Sequence, residues 1–309
     1  NSGCDIITGG NVGWGGPAAP GVPVNNPRNF NGQVVFLGSG AGTCTSPART
    51  VIVTVHQPTT VTTQPANQTI CTDKVATFTA AGGGSGPFSY QWQVSTNGNN
   101  PPWTNITNGG VYSGATSATL TITQPPVSVS GYHYRVIING AAPCAAATSF
   151  SAILTVNPLP IVVISASPYT SLFPGLVTTL SSTVTPNAAA TYTWLRNGVA
   201  VAGATGATLN VDIDGLGDYQ LRVTDVNNCT NSSNIITIKD SVSGKCFIYP
   251  NPTSGKFQVR YYSVANNVLP RTLTIYDAKG DRVFSQYYTI GRPYDRMDVD
   301  MRAYGKGLY

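Results

Sequence analysis

The chain has no glutamate in its 309 residues, and only two histidines, two methionines and 9% charged side chains, against the usual quarter. Without glutamate, a glycoside-cleaving carboxylate pair would have to consist of two aspartates. His56 and His133 have no Asp or Cys nearby in sequence that would define a nucleophile pair. Good helix formers are scarce and β-branched and turn residues abundant, which predicts an almost wholly β chain. No apolar run approaches the roughly 20 residues of a membrane-spanning helix, and Asn1-Ser2-Gly3-Cys4 has neither the basic nor the apolar region of a signal peptide. The six cysteines show no Cys-x-x-Cys spacing, so they do not read as a metal site.

What is present is repeated. Ser89-Tyr90-Gln91-Trp92-Gln93 recurs as Thr191-Tyr192-Thr193-Trp194-Leu195, and SGATSATLTI from Ser113 to Ile122 recurs as AGATGATLNV from Ala202 to Val211. A third pair is Gly131-Tyr132-His133-Tyr134-Arg135-Val136 and Gly217-Asp218-Tyr219-Gln220-Leu221-Arg222-Val223. Each unit closes on an alternating strand, Ile153 to Val156 and Ile235 to Ile238. A Trp on the third strand, and a Tyr two residues before an inward position on the sixth, resemble the immunoglobulin-like sandwich and its tyrosine corner. That resemblance makes Trp92, Tyr134, Trp194 and Tyr219 the expected structural core, with Val136 and Leu221 where an antibody domain has its second cysteine. Residues 58–157 and 158–242 are therefore expected to be two such domains. Residues 1–57 read as the last hairpin of a third one, Gln33 to Leu37 and Val51 to Val55, behind a Gly/Pro-rich loop. The prolines of Gln57-Pro58 and Asn157-Pro158-Leu159-Pro160 stiffen the junctions.

The tail has a different signature. In Tyr249-Pro250-Asn251-Pro252-Thr253-Ser254-Gly255-Lys256-Phe257 the two prolines lack amide donors, so a strand is expected only after them, with Phe257, Val259 and Tyr261 alternating inward. Tyr276-Asp277-Ala278-Lys279-Gly280 reads as a hairpin turn, with the return strand over Val283 to Tyr288. The chain closes on Lys306-Gly307-Leu308-Tyr309. These motifs in this order resemble the C-terminal sorting domain of cargo exported by the type IX secretion system of Bacteroidetes. The resemblance implies a β-sandwich over 243–309, a translocon partner, attachment to lipopolysaccharide and an extracellular place at a Gram-negative cell surface. The family continues past the last motif with one more strand, so this domain is expected to lack its last strand here; exported cargo starts with a signal peptide, so residue 1 is expected to be a processed or truncated start. The tail from 241 carries ten basic against five acidic side chains, a surplus suited to an acidic envelope. Interspersed with aspartate, these residues match no nucleic-acid motif.

In an exported protein the cysteines are expected as disulfides. Cys229–Cys246 would close a short loop across a domain junction, with Cys4–Cys44 and Cys71–Cys144 as the favoured remainder. Cys71 and Cys144 fall in turns at opposite ends of an ideal sandwich, so their pairing needs a departure from it, or the bridges run between domains. Asp212-Ile213-Asp214-Gly215-Leu216-Gly217-Asp218 is the best calcium candidate, through Asp212, Asp214 and Asp218, though it lacks the acidic residue that ends a full calcium loop. Asp240-Ser241-Val242 resembles the Bacteroidetes O-glycosylation motif, making Ser241 a candidate. Trp14, Trp103, Tyr112 and the Tyr261-Tyr262 and Tyr287-Tyr288 pairs are a candidate sugar platform or plain packing. The leading expectation is a non-enzymatic, cofactor-free, adhesin-like surface protein, assembling by strand donation into a homopolymer, filament or sheath. The alternatives are the rear part of a secreted hydrolase or a glycan-binding module.

Overall fold

A computed structural model describes residues 55–186, 189–264 and 269–304. Cys4, Cys44, Trp14 and nearly all of the expected partial unit over 1–57 lie outside them. The chain divides into two compact units, Asn1–Pro158 and Leu159–Tyr309. Both are built from β-strands, as the composition demands.

In the first unit, Val75–Thr79, Thr119–Thr123 and Tyr112–Ser113 form one sheet. Facing it, the strands run in the order Gln68–Cys71, Ala152–Asn157, His133–Asn139, Ser89–Ser95 and Thr104–Asn105. The first strand is split. Thr60–Thr63 pairs antiparallel with Ala81–Gly83, and after Pro65 the chain crosses over so that Gln68–Cys71 runs parallel to Ala152–Asn157. Pro65 fits the crossing because it has no amide to donate to either ladder. The second unit repeats the device around Pro168: Ile161–Ser167 pairs antiparallel with Thr178–Thr185, and Ser171–Leu172 runs parallel to Ile236–Asp240. Sheets packed face to face with this split first strand are the immunoglobulin-like sandwich.

The repeated sequences occupy equivalent places. Trp92 and Trp194 are fully buried, and they pair across their sheets with Val136 and Leu221. Each indole N–H donates to the same position of the repeated SGATS/AGATG turn, Ser117 O and Gly206 O, both at 2.9 Å. A second equivalence has no obvious sequence signature. Ser149 Oγ accepts from Val136 N and Ser233 Oγ accepts from Leu221 N, both at 2.9 Å, and each serine plugs the gap where the last strands separate. The tyrosines differ. Tyr219 Oη donates to the carbonyl of Gly215, four residues upstream, which is the expected corner. Tyr134, although fully buried, instead meets the hydroxyl of Tyr112 at 3.1 Å. Burial and this hydroxyl push the Tyr134 phenol far up from its ordinary value.

Two expected disulfides do not fit this geometry. Cys71 sits level with Asn157 at one end of the sheet, whereas Cys144 lies beyond Asn139 at the other. That separation is roughly 30 Å at the rise of a strand, against about 5.5 Å for a bridge. Cys71 and Cys144 are both disulfide-bonded, and at that separation not to each other. Cys229 is also disulfide-bonded, while Cys246 is free and exposed. The strand Gly217–Asp225 separates them: Cys229 is held at its Asp225 end, and the closing strand leaves past Gly217 at the opposite end. The sandwich keeps its ideal ends, and both pairings required it to give them up.

Candidate functional site

The tail motifs each have a local structural cause. Cys246–Tyr249 pairs antiparallel with Lys256–Tyr261, which pairs in turn with Met297–Asp300. Pro250, Asn251 and Pro252 fall in the connection, where missing amides cost no ladder bonds. Thr253 Oγ1 closes that connection, donating to Lys256 O at 2.8 Å and accepting from Gly255 N at 3.0 Å. Gly255 has φ of +106°, and a Cβ there would meet Arg302 Cγ at 2.9 Å, so the position requires glycine. The strand expected after the prolines runs from Lys256 to Tyr261. The expected hairpin pairs Leu269–Tyr276 with Arg282–Ile290, and Asp277 Oδ1 accepts from the amides of Lys279 and Asp281, both at 2.9 Å, to set the turn. Tyr249 and Tyr276 remain largely exposed. Lys306, Gly307 and Tyr309 lie outside the described residues.

An open cleft of about 370 Å³ lies along these strands, bordered by Tyr249, Pro250, Lys256, Phe257, Arg296 and Asp300. Its charges are largely paired: Arg302 grips Asp300 through Nε at 2.9 Å and Nη2 at 2.8 Å, and Arg296 holds Asp298 at 3.1 Å. The Arg302 hydrogen bonds hold the Asp300 carboxyl down at about 2. The basic surplus of the tail is therefore partly neutralised beside the cleft.

The calcium expectation is corrected by the Asp212–Asp218 loop. Its three carboxylates diverge onto separate partners: Asp212 Oδ1 accepts from Asp214 N at 3.0 Å, Asp218 Oδ1 accepts from Thr237 Oγ1 at 2.6 Å, and Asp214 turns outward. Among the described residues no group of three or more potential metal ligands comes together. Asp214 instead receives both guanidinium nitrogens of Arg260, from the tail, at 2.7 and 2.8 Å. Arg260 is 6% exposed and also donates to Tyr294 O at 3.3 Å. Burying a guanidinium is costly unless it is paired in this two-pronged geometry. The pair lowers the Asp214 carboxyl and raises the Arg260 guanidinium, each through the hydrogen bonds between them.

Tyr294 is the residue that sequence reading missed. It sits in the tail, is 1% exposed, and belongs to the same apolar cluster as Leu172, Trp194 and Tyr219 of the preceding sandwich. Its ring meets Phe247 edge-on at 5.7 Å and Tyr262 at 5.6 Å, and Phe247 stacks on Phe173 at 5.4 Å. Its hydroxyl donates to Ser241 O at 2.6 Å. The backbone pays with φ of +55°, a conformation costing about 1–3 kcal/mol for a bulky residue and kept only when packing dictates it. The available signal was Pro293 before an isolated Tyr, too weak to place it in another domain's core.

The other candidates are dispersed. His133 Nδ1 lies 3.2 Å from Ser151 Oγ, but that hydroxyl donates to Asn99 Oδ1 at 2.8 Å, so the serine proton is directed away from the ring. Ser241 is half-buried, and its amide donates to Leu172 O at 2.8 Å, so the segment is pinned rather than a free linker. Of the aromatics, Trp103 lies under the Arg135 guanidinium at 4.1 Å, Tyr112 binds Tyr134, and Tyr262 packs on Tyr294. Tyr261 is half-buried, Tyr288 donates to Asp298 O, and Tyr287 is strongly exposed, so the two tyrosine pairs of the tail build no common platform.

Residues 60–158 match the family profile described as "Domain of unknown function (DUF8696)". Residues 247–309 match that described as "Secretion system C-terminal sorting domain". No curated protein matches the chain. Among solved structures, the N-terminal four Ig domains of Dscam1 isoform 7.44 align at 17% identity and a TM-score of 0.32, over 60% of this chain and 46% of that one. Isoform 9.44 gives 18% and 0.33 over the same shares, 60% and 46%. The chain thus spans about half the length of these structures, and the sandwich assignment rests on the strand order. No helix among the described residues is long and apolar enough to cross a membrane. The chain thus carries immunoglobulin-like sandwiches ahead of a secretion-system C-terminal sorting domain, and that domain implies a secreted or cell-surface protein of the Bacteroidetes type IX kind.

Proposed function

We propose that this chain is a non-enzymatic, adhesin-like structural protein of the outer cell surface. The observation that carries the reading is the sorting domain at 247–309 placed behind sandwiches whose polar side chains are spent on holding strands together. The aspartates of the Asp212–Asp218 loop cap, bridge and anchor, and the Ser151 hydroxyl beside His133 donates to Asn99 instead. Rigid modules of low charge project from the envelope and offer their sides to other molecules, with lipopolysaccharide as the attachment point of the tail. Self-assembly by strand donation is the finer part of the proposal. Among the described residues no strand pairs with the outer edge of Met297–Asp300, which leaves backbone donors and acceptors for an incoming strand.

Protease shaving of intact native cells tests the location, and electron microscopy of the purified chain tests assembly. Shaving is expected to remove the protein, and concentrated protein to form ordered multimers. Protection from the protease, or a turnover activity mapping within residues 55–304, would overturn the surface-structural reading. A strictly monomeric species at high concentration would remove strand donation alone.

A further inference from the structure

We propose that the working export label is the whole unit 159–309, with the sandwich before the tail serving as the platform on which the sorting segment is held. This rests on the sorting reading above. Three contacts join the two parts within that unit. Tyr294 of the tail completes the sandwich core beside Trp194 and Leu172. Phe247, two residues before the first proline-linked tyrosine of the sorting motif, stacks on Phe173 of the sandwich. Arg260, in the strand that follows the motif, is bound at both nitrogens by Asp214.

The connecting segment adds a fourth tie. Ser241 donates its amide to Leu172 O and accepts the Tyr294 hydroxyl at its carbonyl, so the connection is fastened on both sides. These contacts act on both motif strands at once. Phe247 belongs to Cys246–Tyr249 and Arg260 to Lys256–Tyr261, the two strands that flank the Pro250–Gly255 connection. Asp214 and Phe173 are therefore positioning residues for a signal to which they do not themselves belong. An export receptor would meet the motif only in the arrangement that the sandwich imposes.

The test uses the full chain in its native host. Asp214→Arg places two guanidinium groups face to face, and the loop that carries it is exposed enough to accept the new side chain, Asp214 being 43% accessible. The charge swap Asp214→Arg with Arg260→Asp restores an opposite pair in the same place. Two readouts are taken: the fraction of chain delivered outside the cell, and the rate at which protease cuts between 242 and 246. The single variant is expected to be cut on the order of tenfold faster, as the attachment opens more often, and to accumulate inside the envelope; the swap is expected to return both readouts toward wild type. Normal delivery of Asp214→Arg would overturn the inference, and so would a swap that rescues neither readout. Wild-type chain in a host lacking the translocon separates the two levels: if it still leaves the cell, the sorting reading itself fails. If it is retained there while Asp214→Arg exports normally elsewhere, only the platform role is lost.

Discussion

The two tryptophans hold their sandwiches by the same two interactions, a buried ring and one indole hydrogen bond. Trp92→Ala and Trp194→Ala are each expected to cost about 3–5 kcal/mol, read as a lowered urea midpoint for the unit that carries the change. The tyrosines separate where the sequence makes them look alike. Removing the Tyr219 hydroxyl leaves a corner carbonyl unpaired, so Tyr219→Phe should cost about 1–2 kcal/mol. Tyr134→Phe leaves only the half-buried Tyr112 hydroxyl, which water can reach, and should cost less than half as much in the same titration. The repeat made both tyrosines legible as core. It did not show which hydroxyl turns back on its own chain: both units carry a short 3-10 turn before that strand, Val127–Val129 and Ile213–Gly215, and only Tyr219 bonds to its own.

At the scale of elements, strands and turns were readable because their rules are local: alternation, prolines without amides, and the Asp277–Gly280 turn. The Asp212–Asp218 loop was misread because ligand spacing says nothing about where carboxylates point. Its actual partner, Arg260, lies 46 positions away in sequence. The attachment has a pH signature of definite sign. Asp214 titrates below the ordinary aspartate value of 3.8, chiefly through the Arg260 hydrogen bonds. A lowered carboxyl contributes stability that is fully present above its unfolded value and is lost as the pH falls through its folded one. The tail contact should therefore be constant from neutrality down to about pH 4 and weaken below it. Asp214→Asn should remove that acid-dependent part, as followed by protease cutting at 242–246 against pH. Because the carboxylate is 43% accessible, added salt should shrink the effect.

For the molecule as a whole, composition made the β class legible, and the division into two units falls after Pro158. The expected boundary at 242 does not mark a free-standing last bead, since tail and sandwich share one apolar cluster. The Cys71–Cys144 and Cys229–Cys246 pairings were misread because chain proximity is a poor guide to which end of a sandwich a cysteine reaches. Of Cys71, Cys144, Cys229 and Cys246, only Cys246 is expected to take a maleimide without reductant. Burial raises its thiol above the ordinary 9.0, so labelling should be slow at neutral pH and quicken in alkali. Mass analysis of the labelled peptides checks this, and modification of any of the other three would contradict it.

The split first strand has a mechanical meaning. Gln68–Cys71 runs parallel beside Ala152–Asn157, near the two places where the chain enters and leaves its sandwich. A pull on those points slides the two segments past each other along their length, so the ladder is loaded in shear and its bonds must rupture together rather than unzip one by one. Tension along the chain would meet more resistance where this pairing spans four partners, from Leu154↔Gln68 to Asn157↔Cys71, than at the two-partner version, Ser171↔Lys239 and Leu172↔Asp240.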